Sequence, residues 1–390
     1  MIESKRILNL PPYIFARLNK LKMEARKEGR DIIDLGMGNP DQPPSPQIID
    51  KLIETARKAK THGYSASKGI PNLRKAIIRR YKGQYDVDLD PETEVVVTIG
   101  VKEGFSHLLL SLLDEGDSII VPTPTYPSHI YHTVIAGGKL INAPLCDENS
   151  FIPKLEDSIK KARMKPKILV ISFPNNPTTM VVSSEFFEEI VKFAKKHKII
   201  VIHDFAYADM GFDDYKAPSF LQAKDAKKVG AEFYSLSKTY NMAGWRVGFL
   251  VGNKDIVAAL TKIKSYYDYG LFTPIQVASI QALDGPQDYV EKTMEEYKRR
   301  RDAFIRGSAA IGWDIETPKA TMYIWAPIPE KFKKEGSLNF SIRILKEADV
   351  VCSPGVGFGD NGEGFLRFAL VENEQRIKQA IRGIRKVMGR

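Results

Sequence analysis

The chain is poor in the residues that staple, chelate or anchor. Its 390 residues include two cysteines and six histidines. Cys146 follows Leu145 and Cys352 follows Val350-Val351, in apolar surroundings without CxxC spacing, and the histidines do not cluster. Neither a disulfide framework nor a zinc site is expected, and no other metal is. No stretch approaches the ~20 apolar residues of a membrane-spanning helix. The opening residues MIESKRILNLPPYIF carry Glu3 and two prolines where a secretory signal needs a continuous apolar run, so a soluble cytoplasmic location is expected. Internal repeats and low-complexity linkers are also missing.

With 43% hydrophobic side chains, the chain can bury a large core and exceeds the size at which one core usually suffices, so two domains are expected. The net charge of +10 would suit anionic metabolites, nucleic acid or an acidic membrane. The basic residues, however, sit in mixed-sign stretches such as VKFAKKHKII from residue 191 and EKTMEEYKRR from residue 291. These read as solvated helical faces, and neither nucleic acid nor membrane is expected as a partner.

Short Val- and Ile-rich runs recur between helix-like stretches: EVVVTIG from 94, SIIVPTP from 118, KILVISFP from 167, IIVIHDF from 199, AEFYSLS from 231 and RVGFLVG from 246. Continuously apolar runs fit parallel strands covered by helices on both faces. Ligands on such sheets bind beyond the carboxyl ends of the strands. After about residue 285 come a long charged helix, QDYVEKTMEEYKRRRDAFIRGSAAIG, two strand-like runs, MYIWAPI and FLRFALV, and a basic terminal helix. The expected architecture is an α/β fold with a three-layer αβα large domain over 46–285 and a mostly parallel sheet. A smaller α+β domain takes 286–390 with the segment 1–45, itself a helix from residue 13 and the turn-rich GMGNPDQPPSP. The site is expected in the cleft between them.

Six segments carry candidate chemistry. In SLSKTYNMAGWRVGF, Lys238 lies among small, apolar and aromatic residues. Desolvation and a nearby cation would make its amine nucleophilic toward an aldehyde. Arg246, between Gly244 and Gly248, suits a loop that returns a guanidinium to the same pocket for a phosphate, with Ser235 beside it. A structural loop lysine is the plainer alternative. In HDFAYADM, Asp204 ends an apolar run, and a protonated pyridine nitrogen would balance its buried charge. Tyr207 can reach an oxygen on that ring; a helix N-cap and a packing tyrosine would read the same way. In SFPNNPTT, Asn176-Pro177 brings an amide to that oxygen through a tight turn, where an Asn-Pro bond is open to the cis form, or is only a β-turn. In TIGVKEGFSH, Gly100 lets the backbone bend so that the amides of Val101 and Lys102 point at an anion. Tyr126 in PTPTYPSH can lie on an aromatic ring or merely pack. Arg367 in GFLRFAL either turns to water or offers a fork to a substrate carboxylate.

Taken in order, these positions resemble the fold-type I, class I/II aminotransferases, along nearly the whole chain. Gly38 in GMGNPD and Tyr64 in HGYSASKGIPNLR join the series. Eight family motifs in the right sequence and spacing are hard to obtain by chance. The resemblance implies a pyridoxal 5′-phosphate (PLP) enzyme with Lys238 joined to the cofactor and moving the proton. By the same resemblance Asp204 sits on the ring nitrogen, Asn176 and Tyr207 on the ring oxygen, and Tyr126 on the ring face. It further implies phosphate held by Ser235, Arg246 and the Gly100 turn, and substrate carboxylate held by Arg367, Asn176 and the Gly38 backbone. Tyr64 would reach the phosphate of a neighbouring subunit in a homodimer. Two glycines usual in the family are Thr179 and Ala320 here, which bears on loop geometry at both places.

Within the family, the runs VIHDFAYADMGFD, SKTYNMAGWRVGF, KSYYDYGLFTPIQVA and SPGVGFGD are most similar to bacterial glutamate–pyruvate (alanine) aminotransferases, then to LL-diaminopimelate and aspartate aminotransferases. Alanine plus 2-oxoglutarate, giving pyruvate plus glutamate, is the expected reaction. The segment SYYDYGLFTP contains no arginine for a second substrate carboxylate, and its tyrosines with Lys264 suggest a small or mixed pocket. A PLP β-lyase on the same fold and a PLP-fold regulatory module are the competing readings. The latter generally brings a DNA-binding domain, for which no recognition helix precedes residue 13.

Overall fold

A computed structural model of the chain describes residues 2–10 and 14–389. Strand β1 (Ile33–Asp34) is followed by β2 (Val95–Thr98), β3 (Ser118–Thr123), β4 (Lys139–Pro144), β5 (Pro166–Ile171), β6 (Ile200–Asp204), β7 (Gly230–Ser235) and β8 (Gly248–Gly252). Beyond these lie β9 (Tyr323–Pro327), β10 (Val350–Val351), β11 (Ser353–Pro354) and β12 (Phe365–Ala369). Seven strands form one sheet in the order β2-β8-β7-β6-β5-β3-β4. Every residue of β2, β3, β7 and β8 is buried, as their unbroken apolar runs require.

Two features depart from the sequence-based expectation. The run from 246 is a strand, but β8 pairs antiparallel with both β7 and β2. Apolar periodicity reports burial and carries no direction, so it could not distinguish this strand from its parallel neighbours. The seventh strand, β4, was not anticipated. It lies at the sheet edge with Lys139 and Asn142 exposed, so its apolar signal is diluted.

The C-terminal part contains the long helix Asp288–Ala310, a three-stranded sheet in the order β11-β12-β9, and the terminal helix Glu374–Val387. It has its own apolar cluster around Phe304, Trp313, Phe340, Phe368 and Ile381. The N-terminal segment adds to this cluster. Its β1 pairs in parallel with β10, Ile33 against Val350, and Ile33 and Leu35 are buried there. The first long helix spans Ile14–Lys27; Tyr13, where it was expected to start, lies outside the described residues. Among the described residues no helix is long and apolar enough to cross a membrane.

The helix Gly100–Leu112 packs onto the sheet where Gly104 faces it. A Cβ at Gly104 would stand 2.6 Å from Thr98 Cγ2 and 2.8 Å from the buried Phe233 ring. Gly104→Ala should therefore destabilise the chain. Overpacking costs about 1–3 kcal/mol and the better helix propensity of alanine returns about 1 kcal/mol, leaving a net loss of about 1 kcal/mol. Urea unfolding measures it; a stabilised variant would show that the helix can lift off the sheet freely.

Candidate active site

The site forms where the carboxyl ends of β2, β3, β5, β6 and β7 come together. Asp204 is the last residue of β6 and Ser235 the last of β7. Lys238 follows on the single helical turn Leu236–Thr239. Asn176 follows β5, Tyr126 follows β3, and the helix from Gly100 follows β2. Arg367 arrives from β12 of the C-terminal part, and the loop Gly36–Gly38 from the N-terminal segment. Together they line one cavity of about 380 Å³.

Lys238 Nζ donates to the carbonyl of Gly38 at 2.5 Å. The side chain opens onto the cavity, and protein surrounds it otherwise. Burial, reinforced by the charges of Arg367 and Arg246, pulls its pKa down from 10.5 to about 8. An amine so depressed is neutral in a substantial fraction of molecules near neutrality, which is the condition for attack on a carbonyl.

Asp204 is buried, with Oδ1 accepting the amide of Ala206 at 3.2 Å and Oδ2 lying 2.9 Å from His129 Nε2. The other ring nitrogen of His129 meets Thr125 Oγ1 at 2.8 Å. Tyr126 lies edge-on to the His129 ring, with centroids 5.9 Å apart. The carboxylate thus faces the cavity from a fixed position. Across from it, Asn176 Nδ2 donates to Tyr207 Oη at 3.3 Å, and Tyr207 Oη meets Tyr323 Oη at 2.9 Å. Burial first, and Tyr323 second, raise the Tyr207 phenol well above its ordinary pKa, so it stays protonated. The Asn176-Pro177 bond is cis.

Arg367 is turned inward. Its Nη1 donates to Asn176 Oδ1 at 2.8 Å, and its Nη2 to the Gly36 carbonyl at 2.7 Å and to Ser353 Oγ at 3.3 Å. The guanidinium carbon lies 4.3 Å from the Tyr323 ring centroid and 4.7 Å from that of Phe358. Its Nε has no hydrogen-bond partner among the described residues.

A second polar end is formed by Ser235, Arg246 and the helix beginning at Gly100. Gly100 has φ 74°, and a Cβ there would collide with the Arg246 guanidinium. The cation thus lies against the helix N-terminus, where free amides and the helix dipole also favour an anion. Arg246 Nη1 donates to the Ala243 carbonyl at 2.7 Å, and Val101, Lys102 and Ser237 line the wall nearby.

Not every expected residue joins the cavity. Tyr64 is 88% exposed and packs on Tyr269, with ring centroids 4.5 Å apart, outside its own chain's cavity. Lys264 is not a pocket residue: it is fully buried and its Nζ pairs with Glu103 at 3.0 Å and Asp268 at 2.9 Å. The backbone partner of Arg367 is Gly36, while the Gly38 carbonyl is engaged by Lys238. Thr179 takes φ 63°, the conformation for which glycine is usual, and its amide donates to the Asn175 carbonyl at 3.0 Å. Ala320 is fully buried and bridges to Gly211, and the positive φ nearby falls on Thr321.

Sequence reasoning missed His129, Ser237 and Tyr323, and with them Phe15 and Leu18 of the first long helix, which also line the cavity. His129 stands three residues after Tyr126 in a segment already singled out. Nothing in the strand run MYIWAPI distinguishes Tyr323 from a core aromatic.

Residues 30–384 match the family described as aminotransferase class I and II. The chain is 53% identical to the glutamate-pyruvate aminotransferase AlaC of Escherichia coli, over 97% of this chain and 92% of that protein. It is 44% identical to an LL-diaminopimelate aminotransferase of Halothermothrix orenii, over 98% and 97%. The apo-BacF structure from Bacillus subtilis superposes with a TM-score of 0.94 at 39% identity, covering 99% of this chain and 98% of that one. The fold-type I resemblance read from the sequence holds: this chain belongs to the class I and II aminotransferases, enzymes that depend on pyridoxal 5′-phosphate.

Proposed function

We propose that the chain transfers the amino group of alanine to 2-oxoglutarate, yielding pyruvate and glutamate. The observation that carries this reading is the Arg367 guanidinium, held between two rings and bonded to Asn176, on the same cavity as the depressed Lys238 amine. One carboxylate clamp beside one nucleophilic amine suits an α-amino acid. Phe15, Leu18, Met37 and Phe358 line the same cavity and suit a small side chain. The similarity to the glutamate-pyruvate enzyme at 53% identity points the same way. Diaminopimelate is the second reading, favoured by several relatives of that name at 42–44% identity. Aspartate transamination and β-lyase chemistry are less supported.

When bound, pyridoxal phosphate supplies an aldehyde for the lysine and an electron-withdrawing ring that weakens the substrate Cα–H bond. The chain has the complementary groups. Asp204, oriented by His129, holds a proton on the ring nitrogen. Tyr126 covers the ring face, and Asn176 with Tyr207 bonds the ring oxygen. Ser235, Arg246 and the amides of Val101 and Lys102 after Gly100 take the phosphate. Lys238 Nζ, once free, carries the proton from the substrate Cα, and Arg367 holds the substrate carboxylate with help from Asn176.

We further read the chain as a cytoplasmic homodimer in which Tyr64 reaches the partner's phosphate. Tyr64, Tyr266, Tyr267 and Tyr269 are all exposed, and the rings of Tyr64 and Tyr269 are in contact. Sedimentation should give twice the chain mass, and Tyr64→Phe should weaken PLP binding while leaving that mass unchanged.

Mixing the enzyme with alanine and 2-oxoglutarate should give pyruvate and glutamate in equal amounts. Faster turnover of diaminopimelate would favour the second reading, and release of ammonia or sulfide from cysteine-like substrates the lyase. Lys238→Ala should retain PLP but lose turnover by roughly 10³-fold or more, as both attachment and proton transfer lose their amine. Near-normal rates would refute the assignment.

A pH dependence follows as well. Because the folded Lys238 pKa of about 8 lies below its ordinary 10.5, the unfolded chain binds more protons between these values. Stability of the cofactor-free chain therefore rises with pH across that window and is lost again as pH falls to about 8. At about 1.4 kcal/mol per pKa unit, the increment is on the order of 3 kcal/mol. Urea titrations at both ends of the window should find it in the parent and not in Lys238→Met.

A further inference from the structure

The turn that carries Lys238 spans four residues, Leu236–Thr239, too short to be stable by its own hydrogen bonds. One side-chain bond ties it to the segment that bears Asp204 and Tyr207. Thr239 Oγ1, on the residue after Lys238, donates to Asp209 Oδ2 at 2.8 Å. Asp209 lies two residues beyond Tyr207 and five beyond Asp204. The same carboxylate oxygen accepts the hydroxyl of Tyr234, from the strand that leads into the turn. Its other oxygen accepts Arg80 Nη2, from the helix Pro71–Tyr85.

This carboxylate is held in place from several sides. The side chains of Arg80 and Asp209 are 3% and 14% exposed. The Arg80 guanidinium lies 4.8 Å from the Tyr234 ring centroid and 6.0 Å from that of Tyr240, and its Nη1 donates to Tyr240 Oη at 3.0 Å. Tyr240 Oη in turn donates to Gln287, just before the long helix of the C-terminal part. Neither Asp209 nor Arg80 lines the cavity. Arg80 Nε finds no hydrogen-bond partner among the described residues, but its two terminal nitrogens are bonded to Tyr240, Gln84 and Asp209, and a buried ion pair is costly to pull from such bonds, so they define one geometry.

We propose that Asp209, backed by Arg80, is a positioning residue for transamination: through Thr239 it sets where Lys238 Nζ stands relative to Asp204 and Tyr207. The proposal rests on Lys238 being the cofactor-bearing, proton-carrying lysine. That amine has to serve two atoms in turn, the cofactor carbonyl carbon and the substrate Cα. A turn free to slide would still meet the first during slow loading and would miss the second in the fast step. The loss should therefore appear in kcat and leave KM nearly unchanged.

Thr239→Val tests this with the least disturbance, because it deletes one hydroxyl and leaves Asp209 bonded to Tyr234 and Arg80. In the holoenzyme it should lower the maximal rate of the alanine half-reaction by roughly 10- to 100-fold, the scale of a misplacement near 1 Å. KM should stay within about twofold, and the pH midpoint of the bound cofactor's visible absorbance should move, since the environment of the linked Lys238 nitrogen changes. Thr239→Ser should restore both rate and midpoint. Asp209→Asn, which keeps the shape but removes the charge facing Arg80, should move both in the same direction as Thr239→Val. Thermal unfolding of each variant separates these effects from loss of fold, and a rate loss that tracks the unfolding temperature with no change of midpoint would overturn the proposal. So would a Thr239→Val enzyme with the parent's rate and midpoint. Reductive trapping and peptide mapping of the parent address the premise: cofactor found on a lysine other than Lys238 overturns both this proposal and the functional reading, whereas cofactor on Lys238 with an unaffected Thr239→Val enzyme overturns this proposal alone.

Discussion

The crowding of Lys238 with Arg367 and Arg246 in one small enclosure is the constraint to which the rest of the site answers. Water would screen three such cations cheaply; protein does not. The arginines cannot give up their protons, so the lysine is the group that yields. Its reactivity is thus a consequence of burial first and of the two guanidinium groups second. The fold enforces that company from two directions. Strand β7 and its turn deliver Lys238, the loop before β8 delivers Arg246, and β12 of a separately cored region delivers Arg367.

Two guanidinium groups so near a lysine need partners that do not cancel their usefulness. Arg367 has carbonyl, amide and hydroxyl oxygens and two aromatic faces, all uncharged. Those contacts orient the fork without neutralising it, which leaves its charge for an anion. Elsewhere the protein does the opposite. Lys264 sits between Glu103 and Asp268, with His107 Nδ1 2.6 Å from Glu103, and Arg300 is held bidentate by Asp41. Lys264 and Arg300, paired with carboxylates, stand outside the cavity, whereas Arg367 and Arg246, paired with neutral acceptors, face it.

That distinction explains what was legible in the sequence. The strands could be read because burial on both faces writes an uninterrupted apolar run, and the residues just past those runs, Asp204, Ser235, Lys238 and Asn176, do converge on one cavity. Strand direction and the half-exposed β4 leave no such trace. Lys264 was misjudged because a lysine among tyrosines looks the same whether it is open or held by acids; Asp268 is four residues on, but Glu103 lies 161 residues away. His129 and Tyr323 escaped for a related reason. Each works through one partner, Asp204 or Arg367 and Tyr207, and pairings across a fold are invisible in a single chain. Tyr64 stands exposed outside the cavity, against Tyr269.

The short loop Gly36–Gly38 links the two halves of the chemistry. Its Gly36 carbonyl accepts from Arg367 and its Gly38 carbonyl from Lys238, so one piece of backbone spans the nucleophile and the carboxylate clamp. Its ends are pinned. Asp34 accepts the Gly36 amide at 3.0 Å and Lys22 at 2.8 Å, and Asp41 receives Arg300 from the long C-terminal helix. A tight fit reinforces this, since a Cβ on Gly38 would overlap the ring of Tyr323. The loop belongs by pairing to the C-terminal region, through β1 and β10, yet its carbonyl holds a lysine of the large sheet. Any shift of the C-terminal region against that sheet must therefore change the Gly38–Lys238 contact while leaving Gly36–Arg367 intact. The Gly38–Lys238 contact shares that exposure with Arg367–Asn176 and Tyr207–Tyr323, which cross between the same two regions, so such a shift disturbs the nucleophile and the amide partner of the clamp together.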